Sequence, residues 1–382
     1  MSQSANRSTT SQRKDVGIAR IMVKGGRFDY QLLFIVVTIV LFGIMMVYSS
    51  SSYRATFNGL KNYYFALKQL KYALFGFFLM YIASKVNYKF LRNLANLGMA
   101  FGFVLNIIVL FVGKALNGST RWIPIGSFQF QPSEIFKLIL VIYLAHSFVY
   151  YGKQLEDVRV LIRIMAVPII SIGMIASQNL STAIVCFAIL LVMYFIASPS
   201  LKNVIILFLG AVIVAVLFVM FKSYRGNRFD AWLHPETSDS GFQVIQSLYA
   251  IGSGGLFGRG LGNSMQKMGF LPESHNDMIF SVICEELGLF GAFVVLLLFI
   301  MLLMRCRAIA NNAPDRFSGL VVSGILTHIA VQTGVNVAVV TNLIPNTGVT
   351  LPFISYGGTS IICLLVEIGV VLCISRQTKV EE

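Results

Sequence analysis

Runs of about 20 apolar residues recur along the whole chain, and nothing else limits its folding so strongly. Wound as an α-helix, such a run matches the hydrocarbon core of a bilayer. Counting them gives about ten spans, near 31–49, 68–86, 94–113, 134–151, 160–177, 180–197, 201–221, 277–304, 317–343 and 357–375. Of the 382 residues 56% are hydrophobic and 12% charged, about half the charged share of a soluble domain. A membrane β-barrel would show short alternating segments instead. The expected fold class is all-α: a polytopic transmembrane helical bundle with a long extracytoplasmic loop between spans seven and eight. The transmembrane domain occupies 30–376, between a basic N-terminal tail, 1–29, and a short C-terminal tail, 377–382.

The net charge is +14. In a soluble protein that would suggest nucleic acid; in a membrane protein, basic residues collect in cytoplasmic loops. With ten spans, the N-terminal tail shares one side with Lys85, Lys89, Arg92, Lys153, Arg159, Arg163, Lys202, Arg305, Arg307, Arg316 and Arg376. Both termini are therefore expected in the cytoplasm and no nucleic-acid partner is expected. The tail precedes a span too long for a signal-peptide core, so it is read as retained. Arg54, Lys61, Lys68 and Lys71 fall on the opposite side, where they either snorkel or meet an anion. The five cysteines form no CxxC pair and read as small buried hydrophobes.

Three outward segments are rich in Gly, Pro, Ser and Asn: 113–134, 222–276 and 342–358. They are expected to be loops or broken helices. Irregular backbone at a membrane surface must be buried in protein or line a wet cavity, so three such segments on one face imply one shared cavity. The most informative stretch is 251–290, polar and glycine-rich until it enters an apolar span at Asp277. A carboxylate held at the lip of a bilayer is costly without a use.

The segments RWIPIGSFQFQPSEIFKL, LPESHNDMIFSVICEELG and LPFISYGGTS, with IQSLYAIGSGGLFGRGLGNS between them, resemble the signatures of the SEDS family (shape, elongation, division and sporulation). The likeness covers roughly 30–375, and LPFISYGG leans toward the FtsW/SpoVE branch. It implies a peptidoglycan glycosyltransferase that polymerises lipid II into a nascent glycan strand outside a bacterial cytoplasmic membrane. It also implies a partner transpeptidase, a class B penicillin-binding protein, among other divisome or elongasome membrane proteins. One departure is Asn179, where the family often carries an acid in a QPDLGTA-like segment; a carboxylate role there does not transfer.

The resemblance makes Asp277 the catalytic carboxylate, and the chemistry agrees. A sugar hydroxyl is a poor nucleophile, and a general base that takes its proton gains roughly 10²–10⁴ in rate. The same residue could instead simply cap a helix. A helix start also lowers a carboxylate's pKa, whereas a base needs one nearer neutrality. Beside it, Ser274 and His275 could orient a phosphate or share a proton, or His275 could be a solvated loop residue. Glu285 and Glu286, about two turns further on, read as a structural polar network. Ser133 precedes Glu134 and Lys137, whose i,i+3 spacing lets them pair; the resemblance places the corresponding Glu and Lys in a central cavity.

Arg121 suits a pyrophosphate, and Trp122 a sugar face or the membrane interface. Arg225 and Arg228 are further anion candidates. Ser355, Tyr356, Gly357 and Gly358 allow close approach of backbone or ligand. The run 252–262 reads as a flexible or re-entrant turn. His328, Gln332 and Asn336 form an inward polar stripe expected to glue helices together. With no Walker motif, HExxH or GxSxG, the energy for bond formation is expected from the substrate's pyrophosphate leaving group. No cofactor or dedicated metal cluster is evident, although a divalent cation, Mg or Mn, could help neutralise that leaving group. Two other readings stand beside this one: a lipid II flippase, and a non-catalytic scaffold for division partners.

Overall fold

A computed structural model describes residues 28–112, 114–116, 119–126, 128–198, 201–220, 231–236 and 241–378. Arg225, Arg228 and nearly all of the N-terminal tail lie outside these residues. The helices, in chain order, are α1 Tyr30–Phe57, α2 Tyr64–Lys85, the short α3 Tyr88–Asn93, α4 Ala95–Val112, α5 Pro132–Tyr151, α6 Val158–Gln178, α7 Leu180–Ala197, α8 Leu201–Met220, α9 Phe242–Gly254, α10 Ile279–Asn311, α11 Arg316–Val340 and α12 Gly358–Ser375. Eight of them are long and apolar enough to cross a membrane, and the shorter apolar stretches Ala95–Phe111 and Leu201–Gly210 fall at two further expected spans. The chain is a multi-pass helical membrane protein.

The bundle centres on α12, 78% of whose apolar window is buried. It crosses α2 so closely that a Cβ on Gly369 would lie 2.5 Å from the Met80 carbonyl oxygen. Small residues at such crossings matter in lipid, where packing rather than water expulsion joins helices. Phe34, Leu41, Phe75, Phe78 and Phe293 remain exposed, as befits side chains facing acyl chains.

Three boundaries differ from the apolar-run count. Helix α1 continues beyond residue 49 through Ser50, Ser51 and Ser52 to Phe57. Apolar counting ends at the serines, yet Ser51 and Ser52 bond carbonyls of their own helix, and Ser49 and Ser50 partner distant segments. The segment 113–134, expected as loop or broken helix, contains a three-stranded antiparallel sheet of β1 Lys114–Leu116, β2 Ser119–Ile125 and β3 Phe128–Phe130. β2 and β3 form a hairpin with Ile123 opposite Phe130 and Ile125 opposite Phe128. A span expected to begin at residue 277 begins at Ile279 and is broken at Gly288, whose φ is 70°.

That break explains the glycine-rich run. Helix α9 packs along the first turns of α10, Ser247 Oγ lying 2.7 Å from Ser281 Oγ and donating to the Val340 carbonyl. The chain then turns into the gap in α10. Arg259 N donates to the Glu285 carbonyl and Gly260 N to that of Glu286, while Leu289 N and Phe290 N donate to the carbonyls of Gly255 and Leu256. The backbone groups freed by the kink are thus satisfied by the inserted loop, as non-helical backbone among membrane helices requires. A Cβ on Gly258 would lie 2.2 Å from the Glu286 carbonyl oxygen. The run is a re-entrant turn, fixed by backbone pairing.

Candidate functional site

Glu285 and Glu286, both fully buried, tie the returning chain to α10. Glu285 accepts from Ser264 Oγ and from the backbone N–H groups of Met265 and Gln266. Glu286 accepts from Lys267 Nζ at 2.6 Å and from Ser49 Oγ at 2.7 Å. They form the structural network expected of them, and through it the segment before α10 is carried to the helix start.

There, three successive carbonyls are pinned. The His275 carbonyl accepts from Tyr356 N at 2.9 Å. Asn276 accepts from Ser355 Oγ at 2.6 Å, and Asp277 from Asn336 Nδ2 at 2.8 Å. The same Asn336 nitrogen donates to the Val349 carbonyl at 2.7 Å. Asp277 does not cap α10: the residue before the helix is Met278, and no side chain caps it. The carboxylate turns instead toward the 342–358 segment, its Oδ2 lying 3.6 Å from where a Cβ would sit on Gly348.

Asp277 lines a cavity of about 380 Å³. All three irregular segments contribute to it: Arg121, Trp122, Gln129 and Gln131 from the first, Glu273 and Asn276 from the second, Gly348, Thr350, Tyr356 and Gly357 from the third. Helices supply Lys68, Tyr72, Glu134, Lys137, Gln332, Gly358 and Ser360, and Asn179 joins them from the break between α6 and α7. The sheet reaches the cavity because Thr359 Oγ1, at the start of α12, donates to the Gln129 carbonyl at 2.8 Å and accepts from Gln131 N at 3.3 Å. The guanidinium of Arg121 lies 5.9 Å from the Trp122 ring, within cation–π range.

The walls carry both signs of charge. Lys68, Arg121 and Lys137 are cationic; Glu134, Glu273 and Asp277 are acidic. Lys137 is 2% exposed and pairs with Glu134 at 2.9 Å. Its ammonium also donates to Gln332 Oε1 at 2.9 Å. Behind Gln332, His328 Nε2 lies 2.9 Å from the same oxygen, and His328 Nδ1 lies 2.8 Å from Glu367 Oε2. The pair Arg54–Glu273 marks the rim, at 3.5 Å with Arg54 nearly half exposed, a geometry worth little energy. Among the described residues, no group of three or more His, Cys, Asp or Glu could hold a metal ion.

Of the residues singled out from sequence, Asp277, Arg121, Trp122, Glu134, Lys137, Tyr356, Gly357 and Gly358 share this cavity. Ser133, Ser274, His275 and Ser355 do not line it. Ser133 Oγ accepts from Gln131 Nε2 at 3.0 Å. Ser274 Oγ donates to the Ser50 carbonyl at 3.3 Å, and Ser355 holds Asn276. His275 is not a solvated loop residue but packs between aromatic rings, 5.1 Å from Phe65 and 5.7 Å from Tyr356. Burial pushes its pKa down to about 4, helped by the positive charge of Arg54 and opposed by Glu273. It is therefore neutral near pH 7 and offers a phosphate no positive charge. Burial, with Tyr72 and Tyr64 nearby, raises the Tyr356 phenol above its ordinary value, so it stays a donor.

Sequence reasoning missed Gln129, Gln131, Tyr72, Glu273, Asn276 and Ser360, and left Lys68 undecided between snorkelling and anion contact. Gln332 and Asn336, expected only to glue helices, reach the cavity and the Asp277 backbone respectively. Their i,i+4 spacing with His328 was the visible signal, since it shows a polar face without naming what the face meets.

A family model described as a cell cycle protein, that of FtsW, RodA and SpoVE, matches residues 30–380. Stage V sporulation protein E of Bacillus subtilis (strain 168) is 39% identical over 91% of this chain and 97% of its own length. A probable peptidoglycan glycosyltransferase FtsW of Geobacter sulfurreducens is 37% identical over 92% of this chain and 96% of its own. Among solved structures, a chain of a peptidoglycan synthase complex that coordinates polymerization and crosslinking superposes with a TM-score of 0.77 at 26% identity, over 92% of this chain and 98% of that one. Rod shape determining protein RodA of Thermus thermophilus superposes with a TM-score of 0.70 at 27% identity, over 92% and 97%. From residue 30 to its last helix, in sequence and in fold, the chain belongs to the FtsW/RodA/SpoVE family.

Proposed function

We propose that this chain is a lipid II-dependent peptidoglycan glycosyltransferase that extends glycan strands at the outer face of the cytoplasmic membrane. Asp277 is the general base. The attacking sugar hydroxyl gives its proton to the carboxylate as its oxygen bonds the anomeric carbon. The bond from that carbon to the pyrophosphate breaks, and undecaprenyl pyrophosphate leaves. The observation that carries this reading is the sharing of one polar cavity by the Asp277 carboxylate and three cationic side chains, Lys68, Arg121 and Lys137.

The division of labour follows from residue chemistry. A carboxylate accepts a proton; cations meet the growing charge on a leaving pyrophosphate. A planar guanidinium suits phosphate oxygens, and Trp122 and Tyr356 offer flat faces to sugar rings. At about 380 Å³ the cavity is at the small end of ligand pockets, which run from roughly 300 to 1,000 Å³. It suits the reacting sugar and its phosphate, with the peptide and the polyprenyl tail outside. A divalent cation such as Mg or Mn would be held jointly by a cavity carboxylate and the substrate's phosphate oxygens, where it would neutralise leaving-group charge.

The similarity to a chain of a peptidoglycan synthase complex supports a transpeptidase partner of the class B penicillin-binding type, alongside other divisome or elongasome membrane proteins. The bundle end remote from the cavity carries Lys85, Lys89, Arg92, Lys153, Arg305 and Arg316. That supports placing it, and both termini, in the cytoplasm. A flippase would need a polar route continuing to that end. Among the described residues, the hydrogen-bonded polar chain behind the cavity ends at Glu367, in the middle of α12, which favours chemistry over transport.

The test uses purified protein in proteoliposomes supplied with labelled lipid II, alone and with its transpeptidase. Glycan strands are the expected product. Movement of lipid II between leaflets with no polymer formed would favour the flippase, and neither event the scaffold.

A further inference from the structure

The buried pair His328–Glu367 is unused by this mechanism, yet hydrogen bonding fixes how many protons it holds. Lys137 can only donate, so the Gln332 atom facing it is the oxygen. Gln332 Nε2, on the other side, donates to the Thr350 carbonyl at 3.1 Å. His328 Nε2 faces that same oxygen at 2.9 Å and must therefore carry a hydrogen. Its Nδ1 faces Glu367 Oε2 at 2.8 Å. One further proton lies between these two atoms, either as imidazolium and carboxylate or as neutral imidazole and carboxylic acid. In both forms the pair is neutral overall. Both residues are 1% exposed, and Glu367 Oε1 has no protein hydrogen-bond partner.

We propose that His328 and Glu367 are positioning residues that set Gln332 and, through it, the Lys137 ammonium at the cavity wall. Glu367 holds the His328 ring in the tautomer whose Nε2–H meets Gln332. Gln332 then presents its oxygen to Lys137. Two of the three Lys137 hydrogens are taken by Glu134 and Gln332, leaving one for a bound anion. A carboxylate fixing a working imidazole or ligand in this way is a known device; here the beneficiary is one residue further on. The assignment of Lys137 to the leaving group rests on the proposed function; the tautomer does not.

Full-length protein labelled with ¹⁵N-histidine tests the tautomer directly, since the chain has only 4 histidines. The His328 resonances, assigned by their loss in His328→Leu, should show a protonated Nε2 in substrate-free protein near pH 7. Lipid II polymerisation then tests the consequence. Glu367→Gln can still bond Nδ1 through its amide N–H, so its turnover should stay within about twofold of wild type. Glu367→Leu and His328→Leu should lose about tenfold in kcat, the worth of one hydrogen bond to a charged group, with KM little changed; His328→Leu should also lower the Tm, because it leaves Glu367 buried without its partner, whereas Glu367→Gln should not. Any pH profile must be read against the charged and titratable groups facing the pair: Lys137 and Glu134 on α5, and the neutral thiols of Cys186 on α7 and Cys363 on α12.

An unprotonated Nε2 would overturn the proposal. So would equal loss in Glu367→Gln and Glu367→Leu, which would mean that the proton and not the geometry matters, and so would full activity in all three variants. Lys137→Met separates the two layers: its full activity would refute the role given to the ammonium while leaving the tautomer assignment standing.

Discussion

Asn336 holds Asp277 by its backbone: one amide nitrogen donates to the Asp277 carbonyl at 2.8 Å and to the Val349 carbonyl at 2.7 Å. Its two N–H groups thus clamp the segment before α10 to the segment before α12, and the carboxylate lies between them beside Gly348. Asn336→Ala removes both bonds. Displacement of a reacting group by about 1 Å can cost roughly 10²-fold, so kcat in a lipid II polymerisation assay should fall by about that factor. The variant should still purify as folded protein.

The Glu134–Lys137 pair predicts a dissociation of stability from activity. Either charge alone would be buried without its partner, at a cost of about 3–5 kcal/mol. Lys137→Met should therefore lower the Tm markedly. The double variant Glu134→Gln with Lys137→Met should recover most of the stability and none of the activity. Thermal melts in detergent beside polymerisation rates would check both halves.

His275 predicts an acid-sensitive fold. Burial lowers its pKa to about 4 from an unfolded value near 6.5, so between these values the unfolded chain binds more protons than the folded one. Its contribution to stability is complete above about pH 6.5 and is lost as pH falls toward 4. Melting temperature measured from pH 7.5 down to 4.5 should fall, and His275→Phe should flatten part of that slope. Because His275 is already neutral near pH 7, the same substitution should leave the pH dependence of rate above 7 unchanged.

The insertion of the glycine-rich loop into α10 predicts that Gly258→Ala is severe. A Cβ there would meet the Glu286 carbonyl oxygen at 2.2 Å, on a backbone with φ of 77°. Gly173→Ala, with nothing within 4 Å, is the matched control. Yield of folded protein and Tm should drop for the first and hold for the second.

Much of this was legible in the chain itself. Apolar run length located all eight helices that are long and apolar enough to cross a membrane, because a bilayer leaves the backbone few options, and the three irregular segments announced a shared cavity because unpaired backbone cannot face lipid. Run length failed at the end of α1 and inside α10, where serines and glycines pair with other segments rather than facing lipid. The β2–β3 hairpin was hidden because its polar turn and short strands read as loop. At the site, Asp277, Glu134, Lys137 and Arg121 could be named from residue chemistry and family likeness. Ser355 and Asn336 work through backbone carbonyls some 59 to 79 residues away in sequence, a kind of pairing that no local pattern records. His275 was misread because its neighbours in sequence are polar while its neighbours in space are Phe65 and Tyr356.

In the proposed reaction the Asp277 carboxylate takes the proton of the attacking hydroxyl. Its most direct test is the rate of glycan formation from lipid II by Asp277→Asn, an isosteric change that keeps the backbone clamp, beside wild-type protein of matched Tm. The expected loss is at least about 10²-fold with the fold intact. Wild-type rates from Asp277→Asn would contradict it.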